Sequence, residues 1–168
     1  FETNPLLISK NPTLIEYAAF FGSFQIFQYL KNNKVKLTPS LWIYAIHGQN
    51  PMLIEMIVNE NIEPEDKSYL MCLKEAMKCH HNNIAEYIKN NFLNEEEIKF
   101  NYSENRLYYS FKYHNYEYIS IENNNSFFYS VEFNYIELVK LLLNYKENNI
   151  NETKYVMTLH LYHSKKKI

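Results

Sequence analysis

Residues Thr13 to Leu37 read TLIEYAAFFGSFQIFQYLKNNKVKL, and this stretch decides the fold. Two small residues, Ala18 and Ala19, lie in a first apolar segment. Gly22 follows, and a second segment carries Ile26, Phe27 and Leu30 at helical spacing. The cadence returns along the chain. From Ala18 as reference, Ala45 stands 27 positions on, Ala76 a further 31 and Ser130 a further 54. An aliphatic residue follows each reference after eight positions (Ile26, Leu53, Ile84, Leu138) and another after twelve (Leu30, Ile57, Ile88, Leu142). A helix-turn-helix unit repeated at this length predicts an all-α solenoid of stacked repeats. One unit cannot bury its apolar face alone, and stacking supplies a continuous core.

Four positions after each reference stands the residue expected to end the first helix: Gly22, Gln49, His80 and Asn134. Helices often stop on a left-handed residue. Glycine enters that conformation freely, and Asn and His are enriched there among the others. Gln49 fits less well, so its neighbour Gly48 is the alternative stop. A degenerate unit over 99–125 fits the same frame, with Ser110 as reference and His114 at the stop. Its spacing to Ser130 is only 20, which removes about seven residues from the second helix, and Asn123-Asn124-Asn125 marks a break. The Tyr-rich run from Tyr102 to Tyr118 does not alternate with polar residues, so it reads as helix plus irregular connection. The expectation is one array over 1–168, with clear repeats over 11–93, a further repeat over 126–152, and a truncated or decayed one over 153–168.

Composition narrows the function. With 17 Lys and Arg against 19 Asp and Glu, the formal net charge is −2, so there is no basic field for nucleic acid. Lys165-Lys166-Lys167 reads as solvated tail. Cys72 and Cys79, seven apart on one expected helix, would lie about 10 Å apart at helical rise, too far for a disulfide. That suits a reduced, intracellular and cytoplasmic setting. No apolar run approaches a membrane span. The chain opens on Phe1, which leaves room for a removed leader or a longer polypeptide. Only two glycines occur, which argues against a nucleotide site built on glycine turns. The abundance of Asn, Lys, Ile and Tyr reads as AT-rich codon usage, not chemistry.

The units resemble the ankyrin repeat, whose pattern is Thr-Pro-Leu-His, a spacer, Ala-Ala, two variable residues, Gly, and a second helix with Ile-Val-x-Leu-Leu. Thr13, Ile15, Ala18, Ala19, Gly22, Ile26, Phe27 and Leu30 match it, and Ile136 to Leu143 matches its second helix. Pro39 to Gly48, Cys72 to Ala76 and His80-His81-Asn82 are similar to a divergent ankyrin-type domain of unknown function found in large protozoan families. Leu14 and Leu41 stand where the family has its helix-starting proline. Glu16 and Ile43 stand where it has the histidine that ties the turns together. These departures weaken the expectation of tight, regular hairpins but leave the helix pairs. Trp42 occupies the place of a core leucine and is expected in the core.

The resemblance implies a non-catalytic, monomeric scaffold that binds a protein partner on its concave helix face and loop tips. The residues it points to are Phe20, Phe21, Lys36, His47, Lys67 and Lys78, with repeat core as the plainer role for the two phenylalanines. The alternatives are a spacer within a longer polypeptide, or a metal or cysteine site from Cys72, Cys79, His80 and His81. Three consecutive residues on a helix diverge by about 100° each, so Cys79-His80-His81 makes a poor tetrahedral set. The plain reading is that His80 ends one helix and His81 starts the next turn. No catalytic residue, metal or cofactor is expected. The acidic clusters at Glu63 to Asp66 and Glu95 to Glu97 lack the calcium-loop spacing and read as loop and helix-start charge.

Overall fold

The computed structural model describes residues 4–65, 67–98 and 103–147. The described elements are all helical, with no strand among the described residues, and no described helix is long and apolar enough to cross a membrane. The tail expected to hold a last partial repeat, with Lys165 to Lys167, lies outside the described residues. The chain divides into two compact units, Phe1–Glu104 and Asn105–Ile168.

The first unit opens with α1 (Pro5–Lys10) and continues as three helix pairs: α2 (Leu14–Phe20) with α3 (Phe24–Asn32), α4 (Leu41–Gly48) with α5 (Pro51–Asn59), and α6 (Leu70–Lys78) with α7 (Asn82–Phe92). Within each pair the two helices pack on each other. The first helices α2, α4 and α6 pack in sequence, as do α3 and α5. Ala18, Ala19, Ala45 and Ala76 are buried between them, and Leu53, Ile57, Ile84 and Ile88 supply the apolar interior of the second helices. The first pair departs from the expected register. Ile26 is 54% exposed while its neighbour Phe27 is fully buried. The larger ring takes the interior place, where it removes more apolar area from water. A one-turn α8 (Glu95–Glu97) follows, closed by a capping box in which Glu97 N–H donates to Asn94 Oδ1 at 2.8 Å and Asn94 N–H to the Glu97 carboxylate at 3.0 Å.

Every expected helix stop is left-handed: φ is 63° at Gly22, 54° at Gln49, 61° at His80, 58° at His114 and 60° at Asn134. The stop of the second pair is therefore Gln49, and Gly48 is the last residue of α4. The caps at the other four stops are nearly identical. The N–H groups of Ser23, His81, Asn115 and Tyr135 donate to the carbonyls of Ala18, Ala76, Ser110 and Ser130, at 2.8 to 2.9 Å. These are the six-to-one bonds of a Schellman motif. Gly48 has another role. A Cβ there would meet Ala19 O at 2.0 Å and Gly22 N at 2.8 Å, so α4 meets the end of α2 backbone to backbone. Asn50 Nδ2 donates to Gly22 O at 2.9 Å across the same seam.

Glu16 ties the start of α2 to the segment before α4. It is almost fully buried. One carboxylate oxygen accepts from the Thr13 N–H at 2.7 Å and the Thr13 hydroxyl at 2.8 Å. The other accepts from Thr38 Oγ1 at 3.0 Å and from Ser40 Oγ, both leading into α4. Burial pushes this carboxyl up, but the hydrogen bonds from Ser40, Thr13 and Thr38 outweigh it and hold it below its ordinary 4.5. A lowered folded-state value stabilises the fold fully above the unfolded value, and the contribution is lost as pH falls through the folded one. Glu16→Ala is expected to cost roughly 2 kcal/mol by stranding these donors. In urea titrations Glu16→Gln should flatten the loss of stability below the ordinary carboxylate value. An unchanged acid slope would remove Glu16 from this role.

The boundary falls in the first turn of α9 (Ser103–Lys112), and the second unit holds the rest of that helix, a 3-10 turn over Tyr116–Tyr118, α10 (Asn124–Glu132) and α11 (Ile136–Glu147). The 3-10 turn stands where the clear repeats have a second helix. Ser110 and Ser130 fill the small-residue place and are fully buried, each hydroxyl donating at 2.7 Å to a carbonyl of its own helix, Arg106 O and Phe127 O respectively. Such back-bonding satisfies a buried hydroxyl without a partner helix. Phe111 and Leu142 anchor the interior, and Tyr135 donates its hydroxyl to Phe111 O at 2.8 Å.

Candidate functional site

The C-terminal ends of α2, α4 and α6 lie side by side in the first unit, and their side chains form a continuous strip. At one end Tyr17 on α2 and Phe21, the residue that caps it, place their rings 4.9 Å apart. Phe21 is 55% exposed. Phe20 meets Phe21 edge-on at 5.1 Å and stacks on the His47 imidazole at 5.0 Å with 23° between planes. From there the strip turns polar. His47 Nε2 and Glu75 Oε1 are 2.8 Å apart, and Lys78 Nζ donates to the same oxygen at 2.9 Å. Cys79 Sγ lies 3.6 Å from each ring nitrogen of His47.

Four of the six residues expected at a partner surface, Phe20, Phe21, His47 and Lys78, are therefore brought into one strip. Lys36 and Lys67 are exposed on the segments before α4 and α6, outside this chain of contacts. Phe20 is half-buried between Phe21 and His47, so it also supports the ring it stacks on. Two members, Tyr17 and Glu75, were not expected. Both sit one position before the reference small residue, where the other units carry Tyr44, Tyr109 and Tyr129. Glu75 is the acidic exception to that register, and this is the signal that would have singled it out.

The electrostatics follow from partial burial. Burial alone would raise the Glu75 carboxyl. Hydrogen bonds from His47 and Lys78, with their charge, outweigh it and hold the group low. Burial pushes the Cys79 thiol up to about 11, with the Glu75 carboxylate adding to the effect. A thiol so placed is protonated at neutral pH and is a poor nucleophile. Burial lowers His81, whose side chain hydrogen-bonds the His47 backbone.

The cysteine-histidine run separates by role. Cys72 is buried in α6, His80 is the left-handed stop, and His81 precedes α7 as its N-cap. Among the described residues, the group whose potential ligand atoms converge is His47, Glu75 and Cys79, all within 4.8 Å of one another. Glu75 also borders a cleft of about 350 Å³ between Leu6, Pro39, Ile43 and Met71. Comparison with protein-family models, curated proteins and solved structures finds no match to this chain.

Proposed function

We propose that the first unit is an ankyrin-like solenoid that serves as a non-catalytic protein-binding scaffold. The observation that carries this reading is the strip across α2, α4 and α6, with an exposed aromatic end at Tyr17 and Phe21 and a charged end at Glu75 and Lys78. Aromatic side chains on a rigid platform present large contact area at low entropic cost, and anchors of this kind dominate protein interfaces. The protonated Cys79 thiol argues against covalent catalysis at the strip. The in-order packing of three helix pairs and the matching caps of α2 and α6 support the solenoid.

The test is affinity capture with the natural chain and with Phe21→Ser, Tyr17→Ser, Lys78→Glu as baits, with thermal melts to establish that both fold. A partner captured by the natural chain should lose affinity by roughly thirtyfold or more in the triple variant. Equal capture by both baits, or capture by neither, would replace this reading with that of a spacer in a longer polypeptide.

A further inference from the structure

We propose that His47, Glu75 and Cys79 form a mononuclear zinc site that clamps α4 to α6. Glu75 and Cys79 are four residues apart, one turn along the same face of α6 and its cap, and His47 comes from the end of the adjacent α4. Two ligands at this helical spacing and a third from a neighbouring helix converge on one point, which consecutive residues cannot do.

The distances fit. With Zn–S near 2.3 Å and Zn–N near 2.0 Å, a tetrahedral ion separates a thiolate from an imidazole nitrogen by about 3.5 Å. Cys79 Sγ stands 3.6 Å from His47 Nε2. The His47–Glu75 separation of 2.8 Å is that of a hydrogen bond, so the ion replaces this bond and opens the pair by about half an ångström. Phe20 stacks on the imidazole and limits its rotation.

The donor set selects the ion. One nitrogen, one carboxylate oxygen and one sulfur suit zinc and disfavour Mg²⁺ and Ca²⁺, which take oxygen donors. On binding, the Cys79 thiol gives its proton to solvent and the sulfur bonds the metal. Lys78, whose side chain is 47% exposed, leaves Glu75 for water. Three protein ligands leave a fourth position for water. The site shares His47 and Glu75 with the strip but does not depend on the strip's binding a partner.

The test is titration of the reduced full chain with Co²⁺ as a spectroscopic probe, followed by Zn²⁺. One equivalent of Co²⁺ should give a thiolate-to-cobalt charge-transfer band that Zn²⁺ abolishes. The band should vanish in Cys79→Ser, persist in Cys72→Ser and weaken at least tenfold in affinity in His47→Gln. Excess Zn²⁺ should raise the melting temperature by several degrees. X-ray absorption at the zinc edge of the natural chain provides a check that needs no variant, with one sulfur near 2.3 Å and the remaining donors near 2.0 Å. A cobalt spectrum without a charge-transfer band, a band that survives Cys79→Ser, or a zinc shell with no sulfur or two would overturn the site.

Discussion

Gly48→Ala is expected to destabilise the first unit by roughly 3 kcal/mol or more, the upper part of the range for steric overpacking. Helix propensity predicts the opposite sign, because Gly48 is the last residue of α4 and alanine gains about 0.5 to 1 kcal/mol over glycine inside a helix. The space decides. The added methyl would lie 2.0 Å from Ala19 O and 2.8 Å from Gly22 N. Both are backbone atoms, so no rotamer change relieves the clash, and α4 must move off α2. Gly22→Ala should also destabilise, through its φ of 63° and a Cβ 2.6 Å from Gly48 O. Urea unfolding of the two variants checks this. A neutral or stabilised Gly48→Ala would mean that the two backbones do not approach as described.

Trp42→Ala should cost about 4 kcal/mol, in the range for removing a large buried aromatic side chain. Trp42 is fully buried on α4. Its ring meets Tyr69 edge-on at 5.2 Å and Phe92 at 5.5 Å, and Tyr69 and Phe92 stack on each other at 4.5 Å. One ring thus joins three parts of the unit: α4, the segment before α6 and the end of α7. Its indole N–H donates to Ile62 O at 2.6 Å. Trp42→Phe keeps much of the volume and loses this bond, so it should cost about 1 to 2 kcal/mol. Equal losses for the two variants in denaturant melts would mean that the hydrogen bond, not the packed volume, is what Trp42 contributes.

What the sequence made legible follows from how local each constraint is. The stops at Gly22, His80, His114 and Asn134 could be placed because a left-handed residue depends on a few backbone torsions and has a narrow residue preference. Gln49 lies outside that preference, so the stop of α4 was open between two neighbours. Ile26 and Phe27 could not be separated, since both are apolar and adjacent, and only the packed interior chooses between them. The tying role of Glu16 depends on Thr38 and Ser40, 22 and 24 residues away. The His47–Glu75 pair spans 28 residues. Such partners are fixed by stacking, and residue spacing within one repeat carries no record of them.

The two seams of the first unit differ mechanically. Where α2 meets α4, the chain's only two glycines set backbone against backbone. Peptide planes have no rotamers, so this joint is a rigid weld that holds its spacing or separates. At their C-terminal ends α4 and α6 meet through the side chains of His47 and Glu75, which can swivel and lengthen. The contact between α4 and α6 can thus change length, as the proposed zinc requires, whereas the joint between α2 and α4 has one fixed spacing.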